Sequence, residues 1–347
     1  MFARAGYPTT FVETTGLANP RPSPSTLRKV ASRLVRAGSR TPPGEKGLSV
    51  YAPLALPPTH GVFRRINRKL LLPRVVGDLR KPSGPDPVVL AYPPTRTTLD
   101  LIHGLRPGAV LYDCSDDYES FPGAPADIAA TERELLRRAD LVSCTSTRLL
   151  EKAKRVRPDA FLSGPAVDYE RFAVLQDDER GGIRTVCFFG SVSRERTSLS
   201  ALRAIAEAGF EVRLIGELDP ADTDLLRTPG IDFRGEVPHA KLPAALAGVD
   251  AFVLPYEING LTAGISPAKT YECLATGKPV VASPLPALEE LAGHVYLARE
   301  PRDFVGVLRD LENLETKEKM LARIELSREN SWEERFQEIE EALWRVL

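Results

Sequence analysis

The segment Ser266–Ser283 (SPAKTYECLATGKPVVAS) holds the side chains whose spacing best suits chemistry. Ser266 fits a helix N-cap and Pro267 the first helical position. Gly277 ends the helix, and the apolar run after it suits a buried strand. The opening of such a helix offers unpaired backbone N–H groups and the positive end of the peptide dipole, so it can hold a phosphate. Lys269 in the first turn adds a positive charge. Glu272, about one turn on, falls on the same side. A carboxylate there can accept two hydrogen bonds from a ribose diol. The same residues also suit a plain helix of an α/β sheet carrying a solvated Lys and Glu.

A second group, Tyr112–Tyr118 (YDCSDDY), follows an apolar run. Carboxylates at the C-terminal end of a strand lie where open α/β sheets bind ligands. Asp116 or Asp117 is placed to take a proton from an attacking hydroxyl. Either could instead cap the next helix or hold the loop. A third group is basic: Arg28, Lys29, Arg33 and Arg36, then Arg64, Arg65, Arg68 and Lys69. The second part lies among Val62, Phe63, Ile66, Leu70, Leu71 and Leu72, a mixture that can seat a helix on an anionic membrane surface. A solvated charged face over core residues fits it equally.

These residues need elements to position them. At 347 residues the chain is long enough for two domains. In the second half, short apolar strands at 184–190, 211–215, 231–234, 251–255, 279–282 and 295–298 alternate with helical patterns at 199–207, 241–247, 267–275 and 287–291. That alternation predicts βαβ units and a parallel sheet covered on both faces. The first half alternates likewise, with strands at 10–13, 48–52, 87–92, 109–114, 141–145 and 160–162. Its helical patterns fall at 61–79, 97–104, 126–139 and 147–156, and its loops at 18–47 and 53–60 are rich in Pro, Ser and Gly. Residues Met1–Gly6 resemble the last turn of a helix, which suggests that the strand normally preceding such a helix is missing. Tyr169–Gly182 reads as a polar linker. Within 316–347, Asn330-Ser331 offers a helix start, and Trp332, Phe336, Ile339 and Leu343 form a stripe to be buried.

Net charge is −1, but residues 1–100 hold 16 Lys/Arg and 5 Asp/Glu, against 30 and 42 in the remainder. This asymmetry predicts a basic surface on the first half. Cys114, Cys144, Cys187 and Cys273 form no Cys-x-x-Cys and suit buried positions in a reducing compartment. No metal site is read, because the four histidines are scattered. No apolar run is long enough to span a membrane and no signal peptide is evident. The expected location is therefore cytoplasmic, possibly at the inner membrane face.

The segment from Ser266 resembles the donor-binding stretch of GT-B glycosyltransferases, especially the family-4-like group, in which Pro-x-Lys-x-x-Glu leads into a Gly-Lys-Pro-Val-Val run. The resemblance covers roughly residues 80–347. It implies two Rossmann-like, doubly wound α/β domains facing a cleft: 1–168 for the acceptor, 183–330 for the donor, and a helix at 331–347 returning to the first. It also implies that Glu272 binds the donor ribose, that the helix start from Ser266 to Lys269 faces the diphosphate, and that Gly264 and Ile265 just before it belong to the donor site. Gly264 stands where the family's Glu-x7-Glu form has a glutamate, and Glu257 is a possible substitute. Phe188–Arg196 (FFGSVSRER) resembles the first strand and turn of the donor domain, where Gly190 is followed by basic residues, here Arg194 and Arg196, that reach the phosphates. Gly235–His239 resembles the loop touching the base, with Val237 in contact.

The implied activity is sugar transfer from a nucleoside-diphosphate sugar, UDP favoured, to a glycan, lipid-linked or small-molecule acceptor, with retention implied over inversion. No cofactor beyond the nucleotide-sugar co-substrate is implied, and no Asp-x-Asp is singled out as a metal site. The rival reading is a catalytically inactive nucleotide-sugar-binding or partner protein of the same fold. A dinucleotide dehydrogenase is excluded because no Gly-x-Gly-x-x-Gly follows a predicted strand, and a P-loop NTPase because Gly277-Lys278-Pro279 lacks the loop and Ser/Thr. Nucleic-acid binding is not expected, since the basic region lacks a binding motif or interleaved aromatics.

Overall fold

The computed structural model describes the chain except residues 14–16, 18–37, 42–46, 84–85, 122 and 178–180. The basic residues Arg28, Lys29, Arg33 and Arg36, and most of the loop expected at 18–47, lie outside the described residues. The chain divides into two compact units, Met1–Ser163 with Phe336–Leu347, and Gly164–Arg335.

The first unit holds strands β1 (Thr9–Val12), β2 (Arg40–Thr41), β3 (Leu48–Tyr51), β4 (Val88–Ala91), β5 (Ala109–Cys114), β6 (Leu141–Cys144) and β7 (Phe161–Leu162). One sheet runs β1-β3-β2, and a second, all parallel, runs β4-β5-β6-β7. Leu99, Ile102, Leu135 and Leu136, from helices Arg96–Leu105 and Ile128–Arg138, bury Val110, Tyr112 and Val142 of the second sheet. Residues Met1–Gly6 form a turn in which Ala5 N–H donates to Met1 O, four residues back as in an α-helix, and Tyr7 N–H to Phe2 O, five back.

The helix read at 61–79 is instead three segments: Gly61–Ile66, a π turn at Asn67–Leu71, and Leu72–Ser83. The change of register falls beside Pro73, which has no N–H to continue the ladder. It leaves Asn67 buried, exchanging two 2.8 Å hydrogen bonds with the backbone of Leu56.

The second unit is a single parallel sheet of β8 (Thr185–Phe189), β9 (Glu211–Ile215), β10 (Ile231–Phe233), β11 (Ala251–Leu254), β12 (Val280–Ala282) and β13 (Tyr296–Leu297). Its order is β10-β9-β8-β11-β12-β13, which in the unit's own numbering is the Rossmann order 3-2-1-4-5-6. The central strands are apolar along their whole length because both faces are covered. The order reverses between β8 and β11, so a crevice opens beyond their C-terminal ends.

Two expectations are corrected here. Tyr169–Gly182 is not all linker: Tyr169–Ala173 is a helix, and Phe172 is fully buried in the second unit's core. Apolar side chains, not the surrounding polar ones, decide its place. The C-terminal stretch is two helices, Lys317–Glu329 and Trp332–Trp344, the second starting just after Asn330-Ser331 as expected. Of the expected stripe, Leu343 is buried, but Trp332 is 49% exposed. The chain at Trp332 is tied by backbone instead, its N–H donating to Val167 O at 3.0 Å.

Helix Lys269–Ala275 is anchored from behind. Gly277, at φ +73°, closes it, with Met320 Cγ 3.0 Å from where a Cβ would stand. Buried Arg323 donates from Nε and Nη2 to Gly277 O and pairs with Glu315. Truncating one partner of a buried ion pair leaves the other charge uncompensated. Arg323→Ala is therefore expected to lower the second unit's stability to urea by about 3 kcal/mol. An unfolding midpoint equal to wild type would show that this anchor carries no load.

Candidate functional site

The C-terminal ends of β8 and β9 come together on two glycines. Gly190 follows β8 at φ +126°, and Gly216 follows β9 at φ +134°. A Cβ on Gly216 would sit 2.2 Å from Gly190 O, so only glycine lets these backbones approach. A Cβ on Gly190 would sit 2.2 Å from Nζ of Lys269. The lysine thus crosses over the bare backbone at the end of β8.

Its ammonium lies 4.3 Å from the Phe188 ring centroid, 5.7 Å from that of Tyr256 and 5.9 Å from that of Phe189. Among the described residues it makes no ion pair. Burial pushes its pKa down to about 8, and the nearby Arg196 charge adds to the effect, while Cys273 and Glu272 oppose it. A cation held this way by ring faces is attracted by their quadrupoles but keeps donors for an anion.

The helix itself begins at Lys269, with Ala268 as its cap and no side-chain capping bond. Ser266 is therefore not the N-cap expected from its type. Tight bonds from Thr270 N–H to Pro267 O and from Tyr271 N–H to Ala268 O use the two residues after it to start the turn. The N–H groups of Ser266, Ala268 and Lys269 find no acceptor among the described residues. Just before them, Gly264 is buried and Ile265 half-buried, and Ile265 N–H donates to Thr262 O. This loop is pinned by Asn259, whose Oδ1 accepts from Leu261 and Thr262 N–H and whose Nδ2 donates to Glu195 O. Glu257, the possible substitute for a glutamate at 264, donates its N–H to Arg196 O, 3.0 Å away. It borders a cavity of about 260 Å³ shared with Arg203 and Asp224 that does not include Lys269 or Glu272.

The two arginines of the β8 turn separate. Arg196 is half-buried, close enough for its charge to act on both Lys269 and Tyr256. Arg194 is committed elsewhere: its N–H and Nε bind the buried Asp222 carboxylate at 2.8 and 2.5 Å, and Nη2 binds Ala221 O. Asp222-Thr223-Asp224 is an Asp-x-Asp, but both its carboxylates are paired with arginines, Arg194 and Arg203. Val237 packs half-buried against the core beyond β10, in the loop that Gly235 opens at φ +68°.

Glu272 has a partner that its motif does not reveal. His239 Nε2 lies 2.7 Å from its Oε1, and His239 Nδ1 lies 2.8 Å from Arg171 Nη1. Histidine stands in the loop singled out for base contact, but only the fold brings it to Glu272.

In the first unit, Asp117 is engaged rather than free. Its Oδ2 accepts from Ser120 and its Oδ1 from Lys152 Nζ at 3.1 Å. Burial pushes its carboxyl up, but Ser120 and Lys152 more than offset this, leaving it below the ordinary value. Asp116 is half-buried, its carbonyl accepting from Tyr118 N–H. Asp113, in the same motif, was not singled out. Burial pushes its carboxyl above the ordinary value, opposed by a 2.9 Å hydrogen bond from Ser143 Oγ. The exposed cluster around Asn67 also divides. Arg64 forms a two-point pair with Asp127 and a bond to Pro58 O. Arg65, Arg68 and Lys69 are exposed beside Val62 and Leu70, which are 66% and 70% exposed.

Parallel sheets occur in both units, and the second carries its lysine at a Rossmann switch point, as in the GT-B fold. Residues 183–313 match the model of the glycosyl transferases group 1. The chain is 24% identical over 233 residues to the putative teichuronic acid biosynthesis glycosyltransferase TuaH of Bacillus subtilis, covering 57% of each chain. It thus spans little more than half the length of that relative. Among solved structures it resembles HepE of Anabaena in complex with UDP (14% identity, TM-score 0.58, 97% of this chain and 99% of that one). It also resembles a UDP-forming trehalose-phosphate synthase of Burkholderia xenovorans (10% identity, TM-score 0.63, 98% and 99%).

The lowered pKa of Lys269 makes a stability prediction. The folded protein binds this proton less tightly than the unfolded chain, so the group costs stability below about pH 8. The cost, up to about 3 kcal/mol, fades as pH rises from there toward the unfolded value. Lys269→Met should therefore melt higher than wild type at pH 7, with the advantage shrinking between pH 8 and pH 10.5. A variant less stable than wild type at pH 7 would contradict the burial argument.

Proposed function

We propose that this chain transfers a sugar from a nucleoside-diphosphate sugar, UDP favoured, to an acceptor hydroxyl. The observation that carries the reading is the Lys269 ammonium, which has no ion-pair partner among the described residues. It lies over Gly190 at the reversal of strand order, with the Glu272 carboxylate one turn along the same helix. Lys269, Arg196 and the open N–H groups at Ser266, Ala268 and Lys269 suit a diphosphate; Glu272 suits the ribose diol. UDP in the HepE structure and UDP-2-fluoro glucose in a trehalose-6-phosphate structure from E. coli (12% identity, TM-score 0.60) support the donor class. Retention is supported by a neighbour described as a trehalose-6-phosphate synthase transferring with retention.

Transfer breaks the bond between the anomeric carbon and the β-phosphate oxygen and forms one to the acceptor oxygen. The developing charge on the departing diphosphate is what Lys269 and Arg196 stabilise. The acceptor's proton needs a carboxylate that is still basic near neutrality. Asp113, whose pKa burial raises, meets that need better than Asp117, which Lys152 already holds; Asp116 stays a candidate by its place in the loop. Val62 and Leu70, exposed beside Arg65, Arg68 and Lys69, support peripheral contact with an anionic membrane carrying a lipid-linked acceptor; Arg64, paired with Asp127, contributes nothing to it.

Glu272→Ala should weaken UDP binding about 10- to 100-fold with the fold intact, measured by calorimetry with a melting curve as control. Unchanged affinity would sink the donor site. Binding an anion restores the Lys269 proton, so UDP should bind with proton uptake at pH 8.5 but not at pH 6.5, detected as a buffer-dependent heat. Turnover of the Asp113→Asn, Asp116→Asn and Asp117→Asn variants sorts the base: Asp117→Asn should keep most activity. If wild type binds UDP but neither hydrolyses nor transfers from any UDP-sugar supplied, the non-catalytic partner reading replaces this one.

Replacing Arg65, Arg68 and Lys69 together with Glu should abolish co-sedimentation with vesicles containing phosphatidylglycerol. Equal sedimentation of wild type and variant would remove the membrane from the proposal.

A further inference from the structure

His239 joins three elements that the sequence keeps far apart. It opens the short turn His239–Lys241, its Nε2 meets Glu272 on helix Lys269–Ala275, and its Nδ1 meets Arg171 on helix Tyr169–Ala173. Its ring packs edge-on against Phe172, centroids 5.7 Å apart. Arg171 is itself held by Asp168, Nη2 to Oδ2 at 2.8 Å.

The chemistry of these groups fixes the imidazole. A guanidinium only donates hydrogen bonds. Nδ1 facing Arg171 must therefore accept, and the ring proton sits on Nε2, donated to Glu272. Asp168, Arg171, His239 and Glu272 form a directional chain in which every polar contact is satisfied by one protonation pattern. A carboxylate offers about four lone-pair directions. His239 uses one of them, on Oε1, and leaves the others open to a vicinal diol.

We infer that His239 is a positioning residue for the donor's ribose: through the Asp168–Arg171 pair behind it, it holds the Glu272 carboxylate in the orientation that accepts from both ribose hydroxyls. This rests on the donor site proposed above. Without the chain, Glu272 is a long side chain that must be ordered each time a nucleotide binds, and that ordering is subtracted from affinity. With it, the carboxylate is set in advance.

The test compares UDP with 2′,3′-dideoxy-UDP, which lacks both hydroxyls, by calorimetry. Wild type should prefer UDP. His239→Leu should lose about tenfold in UDP affinity while binding the dideoxy nucleotide as wild type does. His239→Gln, whose amide can accept from Arg171 and donate to Glu272, should recover most of the preference. A merely structural histidine predicts equal losses for both nucleotides and no rescue, and that result, or an unchanged UDP preference in His239→Leu, overturns the inference. A wild type that binds neither nucleotide, or both equally, overturns the donor site itself and is distinguishable from the first two outcomes. Should His239→Leu fail to fold, Arg171→Met applies the same comparison from the other end of the chain, with a partial loss of preference expected and equal losses again decisive against.

Discussion

The ammonium of Lys269 is the group around which the second unit is organised. It sits over Gly190 among three aromatic rings, with Glu272 and Arg196 acting on it in opposite directions and no ion-pair partner among the described residues. Such an arrangement costs the folded state, which is why the pKa falls. Yet a cation paired internally could not serve an anion without first breaking that pair, so at the proposed donor site the cost carried in the free state would be recovered on binding. The glycines follow from the same constraint: Gly190 makes room for the lysine, and Gly216 makes room for Gly190.

An unpaired charge needs a rigid frame, or the loops would rearrange to neutralise it. The frame is built from bonds that turn other charged groups away. Asp222 takes Arg194, Asp224 takes Arg203, and His239, backed by Arg171, engages Glu272. Asn259 fastens the loop before the helix to the loop after β8, and Arg323 fastens the helix's far end. The strand order contributes the rest, since at the reversal between β8 and β11 the connections leave to opposite faces of the sheet.

Much of this frame was legible in the residues. Helix Leu199–Glu207 and strands Glu211–Ile215 and Ala109–Cys114 fall where periodicity puts them, because a strand buried on both faces and an amphipathic helix leave unmistakable patterns. Lys269 and Glu272 stood out through their spacing. What stayed hidden depends on contacts between distant residues. Nothing local says that Arg194 will find Asp222, 28 residues on, or that His239 will find Glu272, 33 residues on. Ser266 has the right type for a cap, but Pro267 and Ala268 start the turn with their own carbonyls, and type alone does not show that. Trp332 misled for a similar reason: a stripe at helical spacing needs a neighbour on every turn, and the chain at Trp332 is held by its backbone.

The motif Tyr112–Tyr118 shows how one strand end divides its carboxylates between structure and chemistry. Lys152 reaches the nearly inaccessible Glu132 at 2.9 Å and Asp117 at 3.1 Å, and Glu132 also accepts from Tyr112 at 2.9 Å. Lys152 also meets the exposed Glu119 at 3.3 Å, so one cation serves three carboxylates, of which Asp117 is intermediate in exposure. Its low pKa is the mark of that duty. Among the described residues Asp113 has only the neutral Ser143 hydroxyl on it and is raised by burial instead. Two carboxylates four residues apart are thus tuned in opposite directions, one by hydrogen bonds and an ion pair and one by burial, and this difference in environment, rather than proximity to the strand end, decides which is the more basic.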